Sequence, residues 1–299
     1  MIIYIKYCDK IIINYKEEDK LLKIAWITDT ASGYTIGAHE DLFVVPMGVI
    51  LNDKHYQDQA ELSVEEFYRL LQQYGDGAKT TQPNFQALHE IYEHIEKQGY
   101  THVIAIHPSS ELTGSFQNSL KASQESSLIS AVIDSRIGSY PMKAMINKGM
   151  DLFEEGHSFS EVVETLKSYT EDSVLLLHPK NLSQMKKSGR VSKTQSVMAG
   201  LLNIQLILQF EDGKIYPIEK VRTKKKVIEA MKKCVDDALA TAQPKEICVV
   251  YGGDRSEADI YINWLKERYP EIHITDEILV PVAGVHLGYG TVGIGWINA

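Results

Sequence analysis

The stretch from His102 to Asp134 constrains the chain most. It reads as an apolar strand, HVIAI (102–106), a helix begun by TGSFQNSLKAS (113–123), and a second apolar strand, ISAVID (129–134). Strand, helix, strand at this spacing is a parallel crossover unit, because parallel neighbours cannot be joined by a tight turn. The same alternation runs through the chain from Lys23 onward and marks an α/β protein. KIAWIT (23–28) is a strand ending in the polar turn Asp29-Thr30-Ala31-Ser32-Gly33. LFVVPMGVIL (42–51) reads as a single strand followed by a turn at Asn52-Asp53. Ser63 with Glu66 predicts a capping box opening the helix VEEFYRLLQQY. Asn84 to Gln98 is expected to be helical, with Phe85, Leu88, Ile91, Tyr92 and Ile95 on one face.

The second half follows a helix over 160–170. It is expected to hold the strand SVLLLH, a short helix ending at Gly189, and a helix near TQSVMAGLL. IQLILQFEDGKIYPIEKV reads as a hairpin with Asp212-Gly213 at its turn. A charged helix (224–240), the strand ICVVYG, a helix (254–268) and two final strands complete it. The expected fold is therefore a two-domain α/β protein. An N-terminal domain over 23–170 holds a parallel sheet flanked by helices, and a C-terminal α/β domain over 171–299 holds a mixed sheet. No linker rich in Pro, Gly or Ser separates them, so they should pack tightly. Residues 1–22, dominated by Ile, Lys, Tyr and Asn, are expected to be a disordered extension, the alternative being an added edge hairpin or a partner-binding arm.

Composition excludes several functions. A net charge of −9 argues against nucleic acid as a partner. Cys8, Cys234 and Cys248 form no C-x-x-C, so neither a metal cluster nor a disulfide framework is indicated, which suits a reducing cytoplasm. Val197 to Phe210 is too short to span a bilayer, and the N-terminus lacks a signal-peptide pattern. Gly288-Tyr-Gly290-Thr-Val-Gly293 matches the dinucleotide fingerprint, yet only IGWINA follows it and reads as a strand. Without a crossover helix or an acidic residue some twenty positions on, a dinucleotide site is not expected there. What remains is a glycine loop carrying His286 before a buried terminal strand.

Three polar loops lie at or beside the C-terminal ends of first-domain strands, where open parallel sheets bind ligands. They are Asp29–Ser32, Lys79–Pro83, and Ser109–Ser115, the last entering a helix at Thr113-Gly114-Ser115. Hydroxyls and free amides at a helix start suit a carboxylate or phosphate, although Ser and Thr there also serve as plain caps. Ser115, His286 and Asp29 together allow a hydrolase or transferase acting on a small acid or ester. LTGSFQ lacks the glycine-flanked elbow such a serine needs, and Asp29 also reads as a turn-stabilising residue. Gly189 followed by Arg190 projects a guanidinium into a loop suited to a carboxylate or a partner.

Taken together, the blocks IAWITDTAS, VVPMGVILNDKHYQD, KTTQP, LTGSFQNS, VIDSRIGS, MKKSGRVS and GVHLGYGTVGIGW resemble, in order, those of the DegV family. That family includes the fatty-acid-binding subunits of bacterial fatty acid kinase. The resemblance implies a cytoplasmic carrier with no enzymatic activity or cofactor of its own. It would bury a long-chain fatty acid between its domains and present the carboxylate to an ATP-binding kinase subunit, which makes an acyl phosphate for phospholipid metabolism. An acyltransferase or a membrane surface would be transient partners. By residue, it implies a carboxylate site at Thr80, Thr81, Thr113, Gly114, Ser115 and His286, with Arg190 contacting the partner or head group. Ser for Thr at 115, Thr for Ser at 113 and Thr for Ser at 81 keep the hydroxyl. Leu-Gly-Tyr-Gly after His286 and Ser188 before Gly189 depart from the family pattern. Phe116, Met198, Leu201, Leu202, Ile204, Leu206 and Ile207 are candidates for a tail tunnel, or equally for ordinary core.

Overall fold

The computed structural model describes residues 11–14, 22–75, 77–191 and 204–298. Its first sheet joins β1 (Ile11–Asn14), β2 (Ile24–Asp29), β3 (Leu42–Val45), β7 (His102–His107) and β8 (Ile129–Asp134) in the order β1-β8-β7-β2-β3. β2, β3, β7 and β8 run parallel, and β1 lies antiparallel on the β8 edge. Four residues of the 1–22 segment thus form an edge strand, where the sequence alone favours disorder. Alternation along the strands sorts their side chains onto two faces. Ala25, Ile27, Val103, Ala105 and Val132 pack against α2 (Phe85–Lys97) and α3 (Ser115–Glu125). Trp26, Ile104, Ile106 and Ile133 pack against α4 (Ser139–Glu154) and α5 (Phe159–Asp172).

LFVVPMGVIL is not one strand. β3 stops at Val45, and β4 (Gly48–Leu51) joins a separate antiparallel sheet with β5 (Lys54–Gln57) and β6 (Lys79–Thr81). Pro46 between them has no N–H for a ladder bond, and this is where the chain changes sheets. Helix α1 (Val64–Tyr74) starts where expected, but its capping box is half made. Ser63 Oγ accepts from Glu66 N, while the Glu66 carboxylate turns to Arg69 at 2.8 Å. The complete box belongs to Ser158 and Glu161 at the start of α5.

The second sheet runs β11-β10-β9-β14-β12-β13 and is mixed, with only β12 and β13 parallel. Its strands are β9 (Ser173–His178), β10 (Gln205–Glu211), β11 (Lys214–Val221), β12 (Glu246–Tyr251), β13 (His273–Ile278) and β14 (Val292–Ile297). Asp212 (φ 48°) and Gly213 (φ 78°) turn the β10–β11 hairpin, both with the positive φ of a type I′ turn. One face carries α7 (Lys224–Leu239) and α8 (Ser256–Arg268), packed through Met231, Val235, Tyr261 and Leu265. The other face presents Leu175, Leu177, Leu206, Leu208 and Val250 to the apolar cluster that already holds Trp26, Met142 and Met145. Helix α4 therefore lies between two sheets in one continuous core. β14, near the C-terminus, is a central strand with Trp296 fully buried. The helix expected near TQSVMAGLL lies outside the described residues.

Candidate functional site

The site is assembled where β6, the β7–α3 loop, α6 (Leu182–Ser188) and α9 (Pro281–Leu287) meet in that central core. Successive side chains of a strand point to opposite faces, and β6 shows the consequence. Thr80 Oγ1 lies 2.9 Å from His286 Nε2, whereas Thr81 Oγ1 lies 3.2 Å from Nε2 of the exposed His55. The second pair crosses β4 at Gly48, where a Cβ would sit 2.0 Å from Thr81 Oγ1 and 2.4 Å from His55 Nε2.

His286 is not on a glycine loop. It occupies the last turn of α9, which begins with Pro281 at its N-terminus and is closed by Gly288 (φ 93°). Proline in the first turn and glycine past the end are the residues expected at those places. Gly284 hides the helix in the sequence. It is there because a Cβ would meet Tyr68 Oη at 2.8 Å and Phe67 Cε1 at 2.9 Å on α1. Burial, reinforced by the Arg190 charge, pushes the His286 imidazole down to about 4, so it is neutral near pH 7. Its Nδ1 is buried and has no hydrogen-bond partner among the described residues.

The segment that follows β6 is tied to the β7–α3 loop and to α3 by one hydrogen bond each. Gly114 N–H donates to Gln82 Oε1 at 2.6 Å, and Asn118 Nδ2 donates to the Pro83 carbonyl at 2.9 Å. Thr113 Oγ1 and Ser115 Oγ are 3.2 Å apart, with Ser115 fully buried. On the opposite side, α6 ends at Gly189 in the left-handed conformation (φ 69°). The half-buried Arg190 follows it and donates from Nη1 to Ser188 O at 2.9 Å.

These groups border a cavity of about 380 Å³, within the roughly 300–1,000 Å³ of small-molecule sites. Its apolar wall is drawn from both halves of the chain: Met47, Leu112 and Ile137 from the first, Leu175, Leu177, Met185, Phe210, Ile215, Val282 and Leu287 from the second. Thr80, Thr81, Thr113, Arg190 and His286 line it, joined by Gln82 and Ser188, which the sequence placed in candidate loops without assigning them to the site, and by Ser139, which sequence reasoning passed over. Gly114 and Ser115 stand behind Thr113 rather than on the lining. The candidate tunnel residues fare differently. Phe116 of α3 packs with α2 against the first sheet, Ile207 packs under α7, and Ile204 and Leu206 belong to the central core, none of them on the lining. Met198, Leu201 and Leu202 lie outside the described residues.

Ser115, His286 and Asp29 do not come together as a triad. Asp29 accepts from Ala31 N at 3.1 Å and faces His107 Nδ1 at 3.4 Å, as a turn-stabilising residue would, and the hydroxyl on His286 is that of Thr80. Among the described residues no group of His, Cys, Asp and Glu is placed to hold a metal ion. None of their helices is long and apolar enough to cross a membrane.

The model of the DegV family, described as that of an uncharacterised protein, matches residues 23–299. The chain belongs to the DegV family. A DegV domain-containing protein of Halalkalibacterium halodurans is 29% identical over 279 residues, covering 92% of this chain and 99% of the relative. Among solved structures, a fatty acid binding DegV family protein from Streptococcus agalactiae superposes with a TM-score of 0.86 at 28% identity. DegV from Bacillus subtilis, a fatty acid binding protein, superposes at 0.83 with 26% identity. Each comparison covers 93% of this chain and 100% of the other. The two-sheet arrangement is thus that of DegV structures.

Proposed function

We propose that this DegV-family chain is a cytoplasmic fatty-acid-binding carrier. It buries the acyl tail in the cavity and presents the carboxylate to an ATP-bearing kinase subunit, which forms the acyl phosphate. One observation carries the reading: an apolar cavity between the two sheets, bordered where β6 meets α9 by Thr80 and His286 in hydrogen-bond contact. The fatty-acid-binding relatives of similar fold support it. A sixteen-carbon tail buries about fifteen CH₂ and CH₃ groups, for roughly 12 kcal/mol of gross driving force before the costs of association. The head group adds orientation. A neutral His286 binds a carboxylate as a hydrogen-bonding group and not as an ion-pair partner, while Arg190 supplies the positive charge.

Mass spectrometry of denatured, freshly purified protein should detect co-purified long-chain fatty acid, and stripped protein should take up added palmitate. Protein that is empty and stays empty refutes the carrier. The kinase step is tested separately, by mixing loaded protein with a fatty acid kinase ATP-binding subunit and ATP. Acyl phosphate, trapped as the hydroxamate, should form, and should fall at least tenfold with His286→Ala while palmitate binding falls less. Undiminished hydroxamate would remove His286 from the head-group role.

A further inference from the structure

We propose that Gln82 is a recognition residue for the anionic head group, held in register by the bare backbone of Gly114. The inference rests on the carrier reading. Gly114 N–H can only donate, so the Gln82 atom 2.6 Å from it must be the carbonyl oxygen. The orientation of the amide is thereby fixed, and Nε2 is left as a donor on a side chain that lines the cavity. The bare Gly114 backbone leaves room for this contact. The nearest atoms to a Cβ there all belong to the Gln82 amide: Nε2 at 2.5 Å, Oε1 at 2.6 Å and Cδ at 2.8 Å. The amide thus lies flat against the Gly114 Cα, and any side chain at 114 would displace it. Both ends of Gln82 then have a task. Oε1 joins the β6 loop to the start of α3, and Nε2 stays a neutral donor on a lining that also carries Thr80, Thr113 and Arg190.

Glutamate at 82 separates the two tasks, because it keeps the shape and the acceptor for Gly114 N–H but replaces the donor with a charged oxygen. Palmitate affinity should fall about tenfold or more in Gln82→Ala and further in Gln82→Glu, as expected for losing, then reversing, a hydrogen bond to a charged group. Gly114→Ala should reproduce the loss of Gln82→Ala, and the double variant Gln82→Ala/Gly114→Ala should be no weaker than Gln82→Ala alone. Hexadecanol, with the same tail and no charge, should change less than twofold in every variant, which also shows that the variants fold. Wild-type palmitate affinity in Gln82→Glu overturns the proposal, as does equal weakening toward palmitate and hexadecanol. Wild-type protein that binds neither compound removes the carrier reading itself, and this inference with it.

Discussion

At the residue scale, a buried carboxyl, Asp58, and the partly buried His286 imidazole oppose each other. Burial pushes the Asp58 carboxyl up to about 7, against a lowering contact from the Thr30 hydroxyl, while the His286 imidazole is pushed down to about 4. Between pH 6.5 and 4 the unfolded chain protonates His286 and the folded chain does not, so acid favours unfolding. Between pH 7 and 3.8 the folded chain holds a proton on Asp58 that the unfolded chain releases, so acid favours folding. The effects are about 3 kcal/mol for His286 and about 4 kcal/mol for Asp58, and the windows overlap almost completely. The wild-type chain should therefore show little net acid sensitivity from this pair. Asp58→Asn leaves His286 unopposed. On going from pH 7 to 4.5, that variant should lose on the order of 2 kcal/mol more unfolding free energy than Asp58→Asn/His286→Gln, measured by urea titration. Equal losses in the two would show that His286 is not held neutral by the fold.

At the element scale, what could be read in advance divides along physical lines. β2, β7, β8, β9 and β12 are short, mainly apolar runs between turn residues, and they can be identified because burial on both faces leaves few polar positions, most of them at the strand ends. α4 and α9 escape the same reading because each carries a proline near its start and a glycine inside. Both glycines answer to neighbours distant in sequence. A Cβ at Gly149 of α4 would meet the Trp26 ring at 2.6 Å, and one at Gly284 would meet α1. Thr80, Thr113, Arg190 and His286 were legible as chemistry, since hydroxyl loops, a glycine cap and a histidine are local signals. Gln82, Ser139 and the apolar cavity wall were not, because their places on the lining depend on which loops meet. Gly284→Ala tests the packing argument. Alanine is the better helix former by about 1 kcal/mol, whereas overpacking against buried Phe67 and Tyr68 costs about 1–3 kcal/mol. Packing should win on balance. The variant should be less stable in urea and weaker toward palmitate, since α9 contributes Val282, His286 and Leu287 to the cavity. A more stable variant would mean α9 has room to shift.

At the scale of the whole molecule, the central apolar cluster belongs to both sheets at once. Trp26 and Ile104 of the first and Leu175 and Val250 of the second are members of the same cluster, with α4 between them. Polar contacts cross with it: Tyr140 Oη donates to Glu246 at 2.6 Å, Lys143 pairs with Glu277 at 2.5 Å, and Ser109 Oγ donates to the Gly213 carbonyl at 2.6 Å. The cavity lies inside this shared layer, so an occupant touches walls from both halves and stabilises their union. Binding to the folded state alone adds about 2.7 kcal/mol when free ligand stands at 100 times its Kd. For a chain of this size that is worth about 5 °C in Tm. Calorimetry of stripped protein should show one cooperative transition, moved upward as a unit by palmitate. Two resolved transitions, with palmitate shifting only one, would mean that the halves unfold independently and that the ligand belongs to one of them.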